Sequence, residues 1–274
     1  MTALYIDSKR VKTLAIDGKK VQLGDQAPQY LTVEPLSSAT PDADKTSITL
    51  RNSGSSSLTG TFEARLNDGA WTTISWEDVS HGIDCSLVKA CDSSKDTISC
   101  GEKLQIRGLD KWSSSCALKV TCAGGAKAHG KLADSLTPEY AASAASYKLA
   151  GFFKGSTGLK DASGLDLNGI ALAGSCYDGM FSGCTSLTAA PALPATALAS
   201  SCYSRMFSGC TSLVNAPALP ATALAGNCYL SMFYGCTEVA ELHYPASMQN
   251  DSAFTSMSGS PWFGATKATV HYDL

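Results

Sequence analysis

Two histidines and a glutamate near the carboxy terminus are the groups best suited to chemistry in this chain. Leu242-His243-Tyr244 returns as Val270-His271-Tyr272, an offset of 28 residues, and Glu241 lies two positions before His243. On paired strands this spacing sets the two imidazoles side by side, with the carboxylate on the same face. Two imidazoles and one carboxylate form a transition-metal ligand set, and with a bound water they would serve a metal-dependent hydrolase. The same three residues read equally as a solvated polar cluster on an end strand. Other catalytic signatures do not occur: residues 151–158 lack phosphate-loop spacing, and neither Gly-x-Ser-x-Gly nor His-Glu-x-x-His is present. The expectation is a chain that is not an enzyme, carries no cofactor and holds no metal, with Glu241, His243 and His271 as the alternative metal ligands.

The eleven cysteines divide into two groups. Cys85, Cys91, Cys100, Cys116 and Cys122 include two pairs with five intervening residues, wider than zinc-knuckle spacing. A local disulfide among them stays open as an alternative to free thiols. The other six, at 176, 184, 202, 210, 228 and 236, belong to a repeat and read as small buried hydrophobes. An odd total and an opening Met1-Thr-Ala-Leu-Tyr-Ile-Asp with no basic-then-apolar leader predict synthesis in a cytoplasm and reduced thiols.

The repeat is what must position these groups. Cys176-Tyr-Asp-Gly-Met-Phe-Ser-Gly-Cys184, Cys202-Tyr-Ser-Arg-Met-Phe-Ser-Gly-Cys210 and Cys228-Tyr-Leu-Ser-Met-Phe-Tyr-Gly-Cys236 recur every 26 residues. A period in the twenties predicts a solenoid of about five rungs, each one strand plus one helical turn. Its strands are expected near 159–165, 187–193, 213–219, 239–244 and 268–272. The apolar stripe Leu198, Cys202, Met206 and Phe207 reads as the helical part. Thr137-Pro138 opens a short lead-in helix. Stacking would raise columns Phe181/Phe207/Phe233, Cys184/Cys210/Cys236 and Leu187/Leu213/Val239, with Tyr177, Tyr203 and Tyr229 packed but their hydroxyls reaching water.

Three segments follow. Residues 1–28 echo themselves, Leu4-Tyr-Ile-Asp against Leu14-Ala-Ile-Asp-Gly, and read as a small β meander with a turn at Asp17-Gly18. Residues 29–130 carry short alternating strands and read as an immunoglobulin-like β-sandwich with Trp71 in its core. Residues 131–274 hold the repeats. The expected class is mixed β and α/β. Trp262 is expected to cap the repeats. Binding-surface candidates are Lys160, Asp161, Asn215, Glu241, His243 and His271 along the strand face, together with Trp76 and Trp112.

With 21 basic and 24 acidic residues and a net charge of −3, the chain has no basic footprint for nucleic acid. No run of eighteen apolar residues exists, so membrane insertion is not expected.

The unit Cys-Tyr-x-x-Met-Phe-x-Gly-Cys-Thr and its Ala-Pro-Ala-Leu-Pro-Ala-Thr partner resemble BspA-like leucine-rich repeats. Leu66-Asn-Asp-Gly-Ala-Trp71 and Gly101-Glu-Lys-Leu-Gln-Ile-Arg107 resemble the β-sandwich that precedes such repeats in gut bacteria and their phages. The resemblance implies adhesion without catalysis, and the amino-terminal echo resembles short modules of phage virion proteins. Together these imply a fibre or decoration protein of a bacteriophage, assembled in host cytoplasm. It would dock to other virion proteins by residues 1–28, form a homotrimer by analogy with fibres, and bind a host-surface protein or glycan. A bacterial cell-surface adhesin of the same repeat class is the alternative.

Overall fold

A computed structural model describes residues 13–16, 19–22, 28–37, 45–53, 58–79, 84–247 and 268–274. Strands β1 (Thr13–Ile16) and β2 (Lys19–Gln22) pair antiparallel with Ile16 opposite Lys19, the hairpin that Asp17-Gly18 signals. The first strand of the expected meander lies outside the described residues, as does Trp262.

The next elements are β3 (Leu31–Pro35), β4 (Thr46–Asn52), β5 (Thr61–Leu66), β6 (Thr72–Ser75), β7 (Asp84–Ser86), α1 (Leu87–Cys91), β8 (Leu104–Arg107), β9 (Cys116–Cys122) and β10 (Ala126–Lys131). After them come α2 (Leu132–Ser135), α3 (Pro138–Ala142) and β11 (Leu159–Asp166). Alternation decides which side chains face inward: Ile48 and Leu50 from β4, Phe62 and Ala64 from β5, Leu118 and Val120 from β9 are all buried. One sheet runs β11-β10-β3-β8-β5-β6 and a second runs β7-β4-β9.

This order corrects the immunoglobulin-like expectation. That fold divides its strands four against three and sets the first beside the second. Here β3 lies between β8 and β10, and β4 lies in the other sheet. The reason is visible in β3, where Leu31, Thr32 and Val33 are all buried, so the strand needs cover on both faces and neighbours on both edges. The boundary expected at residue 130 falls inside β10, which pairs in parallel with β11, so sandwich and repeats share one sheet. Gly158 lies so close to β9 that a Cβ there would stand 2.2 Å from the Cys122 amide nitrogen.

The repeats do stack, but not as strand-plus-helix coils. Between 175 and 184 alternate amides take different partners. Ser175, Tyr177, Gly179, Phe181 and Gly183 donate to the carbonyls of Ser200, Cys202, Ser204, Met206 and Ser208 in the next unit. Cys176, Asp178, Met180, Ser182 and Cys184 donate three residues back within their own unit. Ser175, Gly179 and Gly183 have φ of 56°, 62° and 75°. A left-handed residue at every fourth position is incompatible with either helix or strand. The result is a run of tandem turns in which every amide is satisfied.

The expected strands at 187–193 and 213–219 shrink to single bridges, Asp161↔Ala189, Ala189↔Asn215 and Asn215↔Glu241, which connect β11 to β12 (Glu241–Tyr244). Strand β12 pairs in parallel with β13 (Thr269–Tyr272). Among the described residues the fold is mostly β, with 31% strand in three sheets and 9% helix, and no closed barrel or solenoid is recognised there. The mixed α/β class and its leucine-rich-repeat solenoid do not hold, because the repeated turns form no helix and the two central units keep only single bridges where a continuous strand is required.

Side chains carry the stack. Phe153, Phe181, Phe207 and Phe233 form a column with ring centroids 5.5, 5.5 and 5.7 Å apart. Tyr177, Tyr203 and Tyr229 form a second, at 5.6 and 6.2 Å. These tyrosines are at most 2% exposed, so they are buried outright rather than half wet. In a third column Cys184, Cys210 and Cys236 point Sγ–H at the carbonyls of Phe153, Phe181 and Phe207, at 3.1, 3.2 and 3.0 Å. None of the eleven cysteines is in a disulfide. Burial pushes Cys184 and Cys202 up to about 12, which makes them inert rather than nucleophilic. Ser156 holds the thiol's place in the first unit, and its hydroxyl donates to the Leu118 carbonyl at 2.6 Å, which fastens the stack to β9.

Candidate functional site

The tandem turns give the units a second face, and there the repeat breaks its own rule. The left-handed position filled by Gly151 and Gly179 in the first two units holds Arg205 in the third, at φ 53°. A non-glycine residue pays about 1–2 kcal/mol for that backbone. Another left-handed position, filled by Ser175 and Ser201, holds Tyr147 in the first unit, at φ 59° and 49% exposed. Backbone strain of this kind collects at binding sites.

Both residues open onto one cleft of about 280 Å³, lined also by Ser114, Lys154, Asp178 and Ser182. Arg205 grips Asp178 with two parallel bonds, Nη2 to Oδ2 at 2.8 Å and Nε to Oδ1 at 3.2 Å. This fork holds the guanidinium across the opening. Lys154 is exposed at the rim, and its carbonyl accepts from the Lys119 ammonium. Burial pushes the Lys119 amine down from its ordinary value, and the charges of Arg51 and Lys154 add to the shift. With Lys154 and Arg205 against Asp178, the cleft carries surplus positive charge. It joins an aromatic surface, an oriented cation–carboxylate fork and hydroxyls, a set suited to a hydroxylated or anionic ligand.

The predicted surface residues separate into three sets. Asp161, Asn215 and Glu241 fall in one parallel column, interrupted by Ala189. Asp161 is tied locally by accepting from the amide and hydroxyl of Ser163, at 2.8 and 2.7 Å. Lys160 is exposed beside that column. His243 and His271 are direct strand partners with rings 4.8 Å apart, and Glu241 is two residues from His243.

Trp76 and Trp112 require correction, since they are 1% and 9% exposed. They belong to an aromatic chain that runs from Phe62 through Trp76, Trp112 and Phe152 to Phe153, with centroid steps of 4.8, 6.1, 4.4 and 5.0 Å. Trp112 Nε1 donates to the Ala150 carbonyl at 3.0 Å. They join sandwich to stack, and their indoles are too useful as apolar volume to be left in water. Trp71, expected in the core, is instead half-buried with the Arg65 and Arg107 guanidinium carbons 4.5 and 4.1 Å from its ring centre.

Tyr147 and Arg205 were not among the sequence candidates. The signal for Arg205 is an arginine standing where the neighbouring units hold Gly151, Gly179 and Ser231. Tyr147 had none, because the first unit is too degenerate to align at that end.

Comparisons with protein-family models, with curated proteins and with solved structures return no match to this chain. Among the described residues no helix is long and apolar enough to cross a membrane.

Proposed function

We propose that this chain is a non-catalytic binding protein of a bacteriophage particle. It docks to other virion proteins through its amino-terminal segment and presents the stacked units to a glycan on the host surface. The observation that carries the binding role is the cleft, where Tyr147 and Arg205 both occupy strained positions that small residues fill in neighbouring units. A side chain kept at the expense of stability argues for a role outside folding. The Tyr147 ring offers a platform for the apolar face of a sugar. The Arg205–Asp178 fork suits hydroxyls or a carboxylate, and Lys154 favours acidic sugars. Each contact is weak, and display in several copies, as in a trimeric fibre, multiplies it. Sequence resemblance alone supports the virion location.

Arg205→Gly separates folding from binding. Relief of the left-handed backbone is expected to leave stability unchanged or raised by about 1 kcal/mol, because an exposed Arg–Asp pair contributes only 0–1 kcal/mol. On an array of neutral and acidic oligosaccharides, wild type should bind acidic members and Arg205→Gly should lose them. Equal binding by both proteins would remove the cleft from the account. Mass spectrometry of purified particles and of cell envelopes from a producing strain tests location. Presence in envelopes alone contradicts the virion reading and favours the cell-surface adhesin.

A further inference from the structure

We propose that Glu241, His243 and His271 form a binding site for a zinc-class divalent ion that clips β13 to the end of the stack. The parallel register sets His243 directly opposite His271, with the two imidazoles 4.8 Å apart and inclined by 13°. One donor atom from each of the three residues lies within 4.8 Å of the others. Zinc bonds of about 2.0–2.2 Å need donors somewhat closer than that. Ring rotation and a swing of the exposed Glu241 carboxylate supply the closure.

Two further observations point to a cation. Asp273 accepts from His243 Nδ1 at 2.9 and 3.0 Å, which places the proton on Nδ1. The other ring nitrogen, Nε2, faces Glu241, with Oε2 3.6 Å away. A carboxylate behind a histidine is the outer-shell arrangement of metal-bound imidazoles, and it fixes the tautomer that ligates. His271 Nε2, in turn, is buried and has no hydrogen-bond partner among the described residues. A buried ring nitrogen without a partner is costly, and a metal ion would satisfy it.

Two imidazoles and one carboxylate favour zinc, cobalt or nickel over calcium and magnesium, which take oxygen ligands. Three protein donors leave a fourth position for water. The site joins β12 to β13 and lies away from the Tyr147–Arg205 cleft, so it is independent of glycan binding.

The test uses full-length, chelator-stripped protein titrated with zinc against a chromogenic chelator, and with cobalt read by its visible spectrum. One equivalent should bind, with a cobalt spectrum of nitrogen and oxygen donors and no thiolate charge-transfer band. Asp273→Asn should weaken zinc at least tenfold and His271→Ala should abolish stoichiometric binding, while both variants keep the metal-free melting temperature. Zinc should raise the melting temperature of wild type but not of His271→Ala. Absence of binding, a thiolate band, or unchanged affinity in His271→Ala would each overturn the site.

Discussion

Phe207→Ala should cost about 4 kcal/mol of unfolding free energy, within the 3–5 kcal/mol range for truncating a fully buried phenylalanine. Phe207 is wholly buried and is stacked between Phe181 and Phe233 at 5.5 and 5.7 Å, with ring planes within 8° of parallel. Truncation removes the side-chain area, both stacking contacts and the centre of a column whose neighbours are pinned by backbone bonds at each side. The Phe207 amide still donates to the Met232 carbonyl, and its own carbonyl still accepts from Cys236 Sγ. The neighbouring units therefore cannot slide together to fill the gap. Because each unit touches mainly its neighbours, the loss should be felt first beyond the break. Urea unfolding should show the drop in midpoint, and amide exchange should accelerate in residues 227–247 before residues 46–66. A loss below about 1 kcal/mol would mean that the column collapses around the gap and does not carry the stack.

Lys148→Met should cost about 3 kcal/mol even though it removes a buried charge. Lys148 is fully buried at the position where later units carry Cys176 and Cys202. Its ammonium donates to the carbonyls of Ala141, Ser143 and Ala171 at 2.9, 2.6 and 3.1 Å. Burial pushes its pKa down from the ordinary lysine value, while three acceptors at the three protons hold the charge. Ala141 and Ser143 lie at the carboxy-terminal end of α3, where a cation is favoured by the helix dipole. Methionine matches the volume but not the donors. Ala141 keeps a partner in the Ala171 amide. The carbonyls of Ser143 and Ala171 lose their Lys148 donor, and an orphaned acceptor costs about 1–3 kcal/mol. An apolar substitute for a buried ion is often harmless when both partners are replaced, but backbone carbonyls cannot be replaced. Thermal unfolding of Lys148→Met beside wild type measures the cost. Equal stability would show that water already serves those carbonyls.

The register of the stack was readable because identical residues at a fixed spacing admit one alignment. That alignment places the phenylalanines and the thiols in columns. The conformation of each unit is not legible in the same way, because Leu198, Cys202 and Met206 satisfy a helical i, i+4 rule that tandem turns also satisfy. Glycines four residues apart, at 179 and 183 and at 151 and 155, were the contrary sign, since a helix tolerates neither well. The tryptophans show the opposite limit. Trp71 sits beside alternating β residues, a setting that reads as core, whereas Trp76 and Trp112 sit in irregular sequence, which reads as surface. Only a tertiary junction, invisible to periodicity, reverses both. The partnership of Glu241, His243 and His271 was legible because it is local to one strand pairing. The cleft was not, because Tyr147, Asp178 and Arg205 come from three successive units.

The most direct test of the stack is a set of nuclear Overhauser effects in protein labelled only at phenylalanine rings. Cross-peaks should link Phe153 with Phe181, Phe181 with Phe207, and Phe207 with Phe233, and none should join Phe153 to Phe207. Loss of the Phe181–Phe207 cross-peak in a folded sample would contradict the parallel stacking on which the cleft and the histidine pair both depend.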